Sequence, residues 1–79
     1  MMKLIEAVAL GNEFVARTTG AIGDPIFVRL LEREGKEAAW RLVYGSRLFF
    51  PDLKEGAVMD GGEIVLDVDI VSGTVCLRS

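Results

Sequence analysis

Residues 63–79, EIVLDVDIVSGTVCLRS, contain the strongest strand signal in the chain. Apolar and polar side chains alternate through the first part of this segment, which is typical of a β-strand with one buried face. The residues predicted to face the core are Ile64, Leu66, Val68 and Ile70. Those predicted to face solvent, as a solvated acidic face, are Glu63, Asp67 and Asp69.

Ser72-Gly73 interrupts this apolar run and has two interpretations. In the first it is a turn that pairs VDIV with TVCL as a hairpin, because Ser-Gly is an ordinary turn dipeptide and its flanks alternate suitably. In the second it is a processing point, and residues 74–79 are a removable tail. The turn chemistry favours the hairpin.

The N-terminal third of the chain predicts a second hairpin. The aliphatic run at residues 3–10, KLIEAVAL, indicates a strand, and residues 13–19, EFVARTT, indicate the return strand. The dipeptide Gly11-Asn12 between them is a typical hairpin turn.

One helix is predicted at about residues 25–34. Asp24 is a favoured N-cap, Pro25 suits the first helical position, and Gly35 is a natural C-terminal cap. After a loop at KEAAW, strands are predicted at residues 40–45 and 47–50. The fold class is therefore α+β: a mixed sheet of four to five strands packed on one helix, in a single domain of residues 1–79.

Composition limits the classes of function. The 79 residues include no histidine and one cysteine, Cys76, and the net charge is −3. We therefore expect no enzyme activity, no metal or other cofactor and no nucleic-acid partner. No run approaches the ~20 apolar residues of a membrane span, so no membrane insertion is expected. The single cysteine fits a reducing compartment and predicts a cytoplasmic location.

Several local patterns resemble the ubiquitin-like β-grasp family over roughly residues 3–73. RLVYGSR, beginning at Arg41, is similar to a strand and turn of that family, and EREG is similar to the end of its helix. Leu53, Val58 and Ile64 reproduce the family's spacing of apolar residues. The resemblance implies a β-grasp roll and a non-enzymatic protein that acts through protein–protein contacts, as a small binding module or subunit.

The candidate interaction residues come from this resemblance and from the aromatic cluster that follows it. They are Arg41, Val43, Arg47, Phe49 and Phe50. Val43 matches the central aliphatic of the family's recognition patch. Ala9 and Asp67 stand near its other two aliphatics, so the family's usual receptor contact is not expected.

The resemblance also implies an alternative function. Gly73 falls on the family's terminal glycine and Ser72 on the glycine before it, which makes them candidate processing and conjugation residues. The protein would then be a modifier or sulfur carrier, activated at Gly73 after removal of residues 74–79. Its partners would be an adenylating enzyme and a protease.

Overall fold

One helix lies against one face of a four-stranded sheet in the computed structural model, which describes residues 2–45 and 63–78. The elements are α1 (Leu4–Thr19), β1 (Phe27–Arg33), β2 (Lys36–Tyr44), β3 (Ile64–Asp69) and β4 (Val75–Leu77). The strands lie side by side in chain order, and each pair of neighbours is antiparallel. The α+β class is thus confirmed, whereas the predicted mixed sheet is wrong within these residues.

The predicted N-terminal hairpin is wrong, because its residues form α1. The buried residues Ala7, Gly11 and Val15 recur every four positions, which places them on one face of a helix and not on one face of a strand. The helix ends at Gly20, whose φ of 77° is left-handed and whose N–H donates to the carbonyl of Ala16 at 3.0 Å.

The predicted helix at residues 25–34 is also wrong, because most of that segment is β1. Val28 and Leu30 lie opposite Leu42 and Trp40 of β2, as the alternation of a strand requires. KEAAW, predicted to be a loop, is the first part of β2.

A two-residue turn joins β1 to β2 and explains this error. Glu34 and Gly35 have φ values of 55° and 74°, and a type I′ hairpin turn needs positive φ at both of its central residues. A helix C-terminal cap also uses a glycine in the left-handed region. Gly35 therefore fits both structures equally well.

Within residues 63–78 the predicted strand and the predicted hairpin are confirmed, whereas the two-residue turn and the exposure of Asp67 are not. β3 lies within residues 63–71, and Leu66 and Val68 are fully buried. β4 pairs with β3 in a hairpin that places Val68 opposite Val75. The connection spans residues 70–74, so it is longer than the predicted two-residue turn.

Several predictions lie outside the described residues. They include the strand at 47–50, the apolar residues Leu53 and Val58, and the candidate interaction residues Arg47, Phe49 and Phe50. The helix of the described part precedes all four strands. The strand–strand–helix order that the sequence patterns predicted is therefore wrong.

The core lies between α1 and the two central strands. Its fully or almost fully buried members are Ala7, Val15, Leu42, Tyr44, Leu66 and Val68. Gly11 allows the closest approach of the two layers: a β-carbon built on it would overlap Leu42 Cδ1 and would lie 2.7 Å from Tyr44 Oη. The helix can therefore reach β2 only because position 11 lacks a side chain.

We expect Gly11→Ala to destabilise the protein by about 1–3 kcal/mol, because the added methyl group overpacks the interface. Helix propensity alone would give the opposite sign, since alanine stabilises a helix interior by about 1 kcal/mol relative to glycine. Urea unfolding measures the change in the free energy of unfolding. Ala9→Gly on the exposed side of α1 is the control and should lose about 1 kcal/mol through propensity. A stability gain in Gly11→Ala would contradict the close approach.

Candidate functional site

The side chains of β2 divide between the two faces of the sheet. Leu42 and Tyr44 point towards α1 and are completely buried. Because successive side chains of a strand point to opposite faces, Arg41 and Val43 point away from the helix. We call the face opposite α1 the outer face.

Pairing between strands arranges the outer face in rows. Val43 lies opposite Phe27 of β1 and Val65 of β3, which makes one apolar row across three strands. The next row is charged and consists of Arg29, Arg41, Asp67 and Cys76. Rows of side chains on one face of a strand are about 7 Å apart, so the two rows are neighbours.

An ion-pair network of Arg41, Asp67 and Arg78 occupies the centre of the charged row. Arg41 donates from Nε to Asp67 Oδ1 at 2.8 Å and from Nη2 to Oδ2 at 2.9 Å. Arg78 donates from Nε to Oδ2 at 2.8 Å. Both carboxylate oxygens are therefore occupied, and the network joins β2, β3 and the end of the β4 segment.

The predicted solvated position of Asp67 is wrong, although its face of the sheet is the predicted one. Its side chain is only 7% exposed, because the two arginines cover it. The hydrogen bond from Arg41 holds the pKa of Asp67 below its usual value, against the opposing effect of burial, and Arg78 lowers it further. In return, Asp67 raises the pKa of Arg41.

A cavity of about 300 Å³ lies beside this network. The residues that line it include Arg33, Arg41, Asp67, Thr74 and Arg78. Cys76 also lines the cavity, as an exposed free thiol. The opposite charges of the lining side chains give this cavity no strong preference for an anion or a cation.

Ser72 and Gly73, the candidate processing residues, lie in the connection between β3 and β4. Asp69 Oδ1 accepts the N–H groups of Val71 at 2.8 Å and Ser72 at 2.9 Å, and these bonds lower the pKa of Asp69. Gly73 has a left-handed φ of 73° and donates its N–H to the carbonyl of Asp69 at 2.9 Å. Both residues thus belong to an ordered turn.

Only part of the predicted interaction site can be located. Arg41 and Val43 lie together on the outer face as neighbours on β2. Phe27 and Arg29 lie beside them and were missed, because the sequence interpretation placed them on a helix. A strand over these residues would place Phe27 and Arg29 on one face, but only the register between β1 and β2 brings that face beside Val43 and Arg41.

A second polar network ties the segment after α1 to the core. Tyr44 Oη donates to Asn12 Oδ1 at 2.6 Å, and Asn12 Nδ2 donates to Asp24 Oδ1 at 2.8 Å. Burial, together with the negative charge of Asp24, raises the pKa of Tyr44 to about 12. The Tyr44 hydroxyl therefore stays protonated at neutral pH and serves as a structural donor.

Comparison of the chain with protein-family models, curated proteins and solved structures finds no match. Among residues 2–45 and 63–78, no three or more histidine, cysteine, aspartate or glutamate side chains are grouped so that they could hold a metal ion. No helix in the same part of the chain has the length and apolar character needed to cross a membrane.

Because the pKa of Asp67 is lowered in the folded protein, the free energy of unfolding depends on pH. A carboxyl whose pKa is lower in the folded state contributes stability above its unfolded pKa, about 3.9, and loses that contribution as the pH falls through the folded value. We expect the wild type to lose stability below about pH 4 for this reason.

Asp67→Asn should remove part of this acid dependence and cost about 2 kcal/mol at pH 7, less than a fully buried pair because both arginines are partly exposed. Urea unfolding between pH 2 and pH 7 measures both effects. Asp69→Asn is the control, since it removes the other lowered carboxyl and leaves the ion-pair network intact. Parallel pH curves for the wild type and Asp67→Asn would contradict the role of Asp67.

Hydrogen exchange can test whether β4 is stably paired. Arg78 donates its N–H to the carbonyl of Val65 at 2.7 Å, and alternation along an antiparallel strand makes Cys76 the next amide that faces β3. We expect the amides of Cys76 and Arg78 to exchange more slowly than those of Val75 and Leu77, which point away from β3. NMR-detected exchange measures this pattern. Equally fast exchange at all four amides would show that residues 74–78 behave as a free tail.

Proposed function

We propose that the protein is a non-enzymatic binding module or small subunit that contacts another protein through its outer face. The observation that supports this proposal most directly is the exposure of Phe27, an aromatic side chain that is 57% exposed at the end of an apolar row. Val43 lies opposite it on β2, and Val65 follows on β3. The helix covers the other face of the sheet, so this row is a separate surface from the core.

The physical argument concerns which exposed side chains contribute to binding. Aromatic side chains bury a large area on association and lose little conformational entropy, so they dominate the energy of many interfaces. A charged row next to an apolar row supplies the polar rim that protein interfaces have. Arg41 and Val43, two of the five interaction residues proposed from sequence, belong to these two rows.

The alternative function, a modifier or sulfur carrier, has less support. Cleavage after Gly73 would remove β4 and Arg78, and would leave Asp67 with Arg41 as its only partner from this network. Activation needs a slim and flexible C-terminus, whereas Gly73 donates a hydrogen bond within a turn. A ubiquitin-like β-grasp relationship and a cytoplasmic location remain proposals from the sequence.

Site-specific crosslinking in living cells tests the proposed function. A photoreactive phenylalanine analogue at position 27 should give a discrete adduct with one partner protein, identified by mass spectrometry. The same analogue at Ile5 is the matched control, because Ile5 is 76% exposed on α1, in the opposite layer. With the purified partner, Val43→Asp should weaken binding by at least about tenfold, since it places a charge in the apolar row.

Two outcomes would contradict the proposed function. One is the same set of adducts at positions 5 and 27, which would indicate random collision. The other is unchanged affinity in Val43→Asp, provided that its unfolding curve matches the wild type. Recovery of a chain trimmed at Gly73 from the same cells would favour the modifier instead.

A further inference from the structure

We infer that the outer face binds a segment of the partner protein that presents an apolar side chain and a carboxylate two residues apart. This inference rests on the proposed function and adds the chemistry of the partner. The apolar side chain would contact the row of Phe27, Val43 and Val65. The carboxylate would contact the charged row at Arg29.

The charge of the second row, together with that of Arg78 beside it, favours an acidic partner. Arg29, Arg41 and Arg78 carry three positive charges and Asp67 one negative charge, so this cluster has a net charge of +2, in a chain whose net charge is −3. Asp69 lies one row farther on, where its carboxylate accepts hydrogen bonds from two amides of the turn. The excess positive charge of this cluster therefore lies on the Arg29 side of the apolar row, whereas the exposed Glu63 precedes Val65 by two positions on the other side.

Within the described part of the chain, Arg29 is the arginine of this row that has no carboxylate partner. Of the side chains in residues 2–45 and 63–78, none forms an ion pair with it. Arg41, in contrast, is bound to Asp67 through two nitrogens. Arg29 is exposed and lies directly opposite Arg41 on the sheet, so a second positive charge nearby strengthens its attraction for an anion.

The spacing of the rows sets the spacing in the partner. Phe27 and Arg29 are two residues apart on β1, which separates their positions by about 7 Å. An extended segment places its side chains i and i+2 on one side at the same separation. An extended segment with an apolar residue at position i and an acidic residue at position i+2 can therefore contact both rows at once. A phosphate backbone offers the charge but lacks an aliphatic side chain for the apolar row.

Chemical-shift mapping on the ¹⁵N-labelled full chain tests this inference. The probes are three end-blocked peptides, Gly-Ser-Leu-Ser-Glu-Ser-Gly and its variants with Gln or Lys in place of Glu. We expect the Glu peptide to shift amides in residues 27–31, 41–43 and 65. It should bind about three- to fivefold more tightly than the Gln peptide, the gain of one exposed ion pair, and the difference should shrink in high salt.

A charge exchange makes the test specific for Arg29. Arg29→Glu should weaken binding of the Glu peptide and strengthen binding of the Lys peptide, each by about three- to fivefold. Arg17→Glu is the matched control: it makes the same charge change on exposed α1, in the opposite layer, and should leave both affinities unchanged. Thermal unfolding of both variants checks that the fold is intact.

The outcomes separate this inference from the proposed function. Outer-face shifts of equal size and affinity for the Glu, Gln and Lys peptides would overturn the acidic preference and leave the binding surface in place. If millimolar Glu peptide caused no chemical-shift changes on the outer face, the inference would be overturned. The proposed function would then be decided by the crosslinking at position 27. Tighter binding of a single-stranded oligothymidine than of the Glu peptide, at the same residues, would also overturn it.

Discussion

The close approach of α1 to β2 at Gly11 is the constraint on which the arrangement of both faces depends. The helix lies against Leu42 and Tyr44, and a side chain at position 11 would overlap them. This contact determines which side of β2 is the inner side. Since side chains alternate along a strand, Arg41 and Val43 must then lie on the outer face. Pairing with β1 and β3 extends that division across the sheet.

The outer face contains a charge that the neighbouring arginine side chains bury. Asp67 lies on β3, a central strand, and burial of an unpaired carboxylate there would be costly. Arg41 from β2 and Arg78 beyond β4 offset that cost by donating hydrogen bonds to both oxygens. The same bonds connect the end of a three-residue strand to the middle of the sheet. The C-terminal segment is therefore ordered by electrostatics as well as by its short ladder.

Sequence patterns predicted the C-terminal half of the fold better than the N-terminal half. β3 and the turn after it follow from alternation and from Ser-Gly, both of which are local signals. The N-terminal run combines Leu and Ala, which favour a helix, with Ile and Val, which favour a strand, so its composition supports both interpretations. Gly11-Asn12 was predicted to be a turn because glycine is common there. In the structure that pair lies within α1 and contacts β2. Gly11 allows the close approach of Leu42 and Tyr44, and Asn12 accepts a hydrogen bond from Tyr44.

The candidate site shows why an interaction surface on a sheet is only partly predictable from one sequence. Arg41 and Val43 could be placed on a shared face because both belong to one strand and differ by two positions. Phe27 and Arg29 join them only through the register between β1 and β2, which no local pattern encodes. The burial of Asp67 depends likewise on pairing with β2 and β4, and alternation alone places it in solvent. The set of residues on the outer face is therefore determined by strand register. Local sequence patterns identify only those members that lie on one strand.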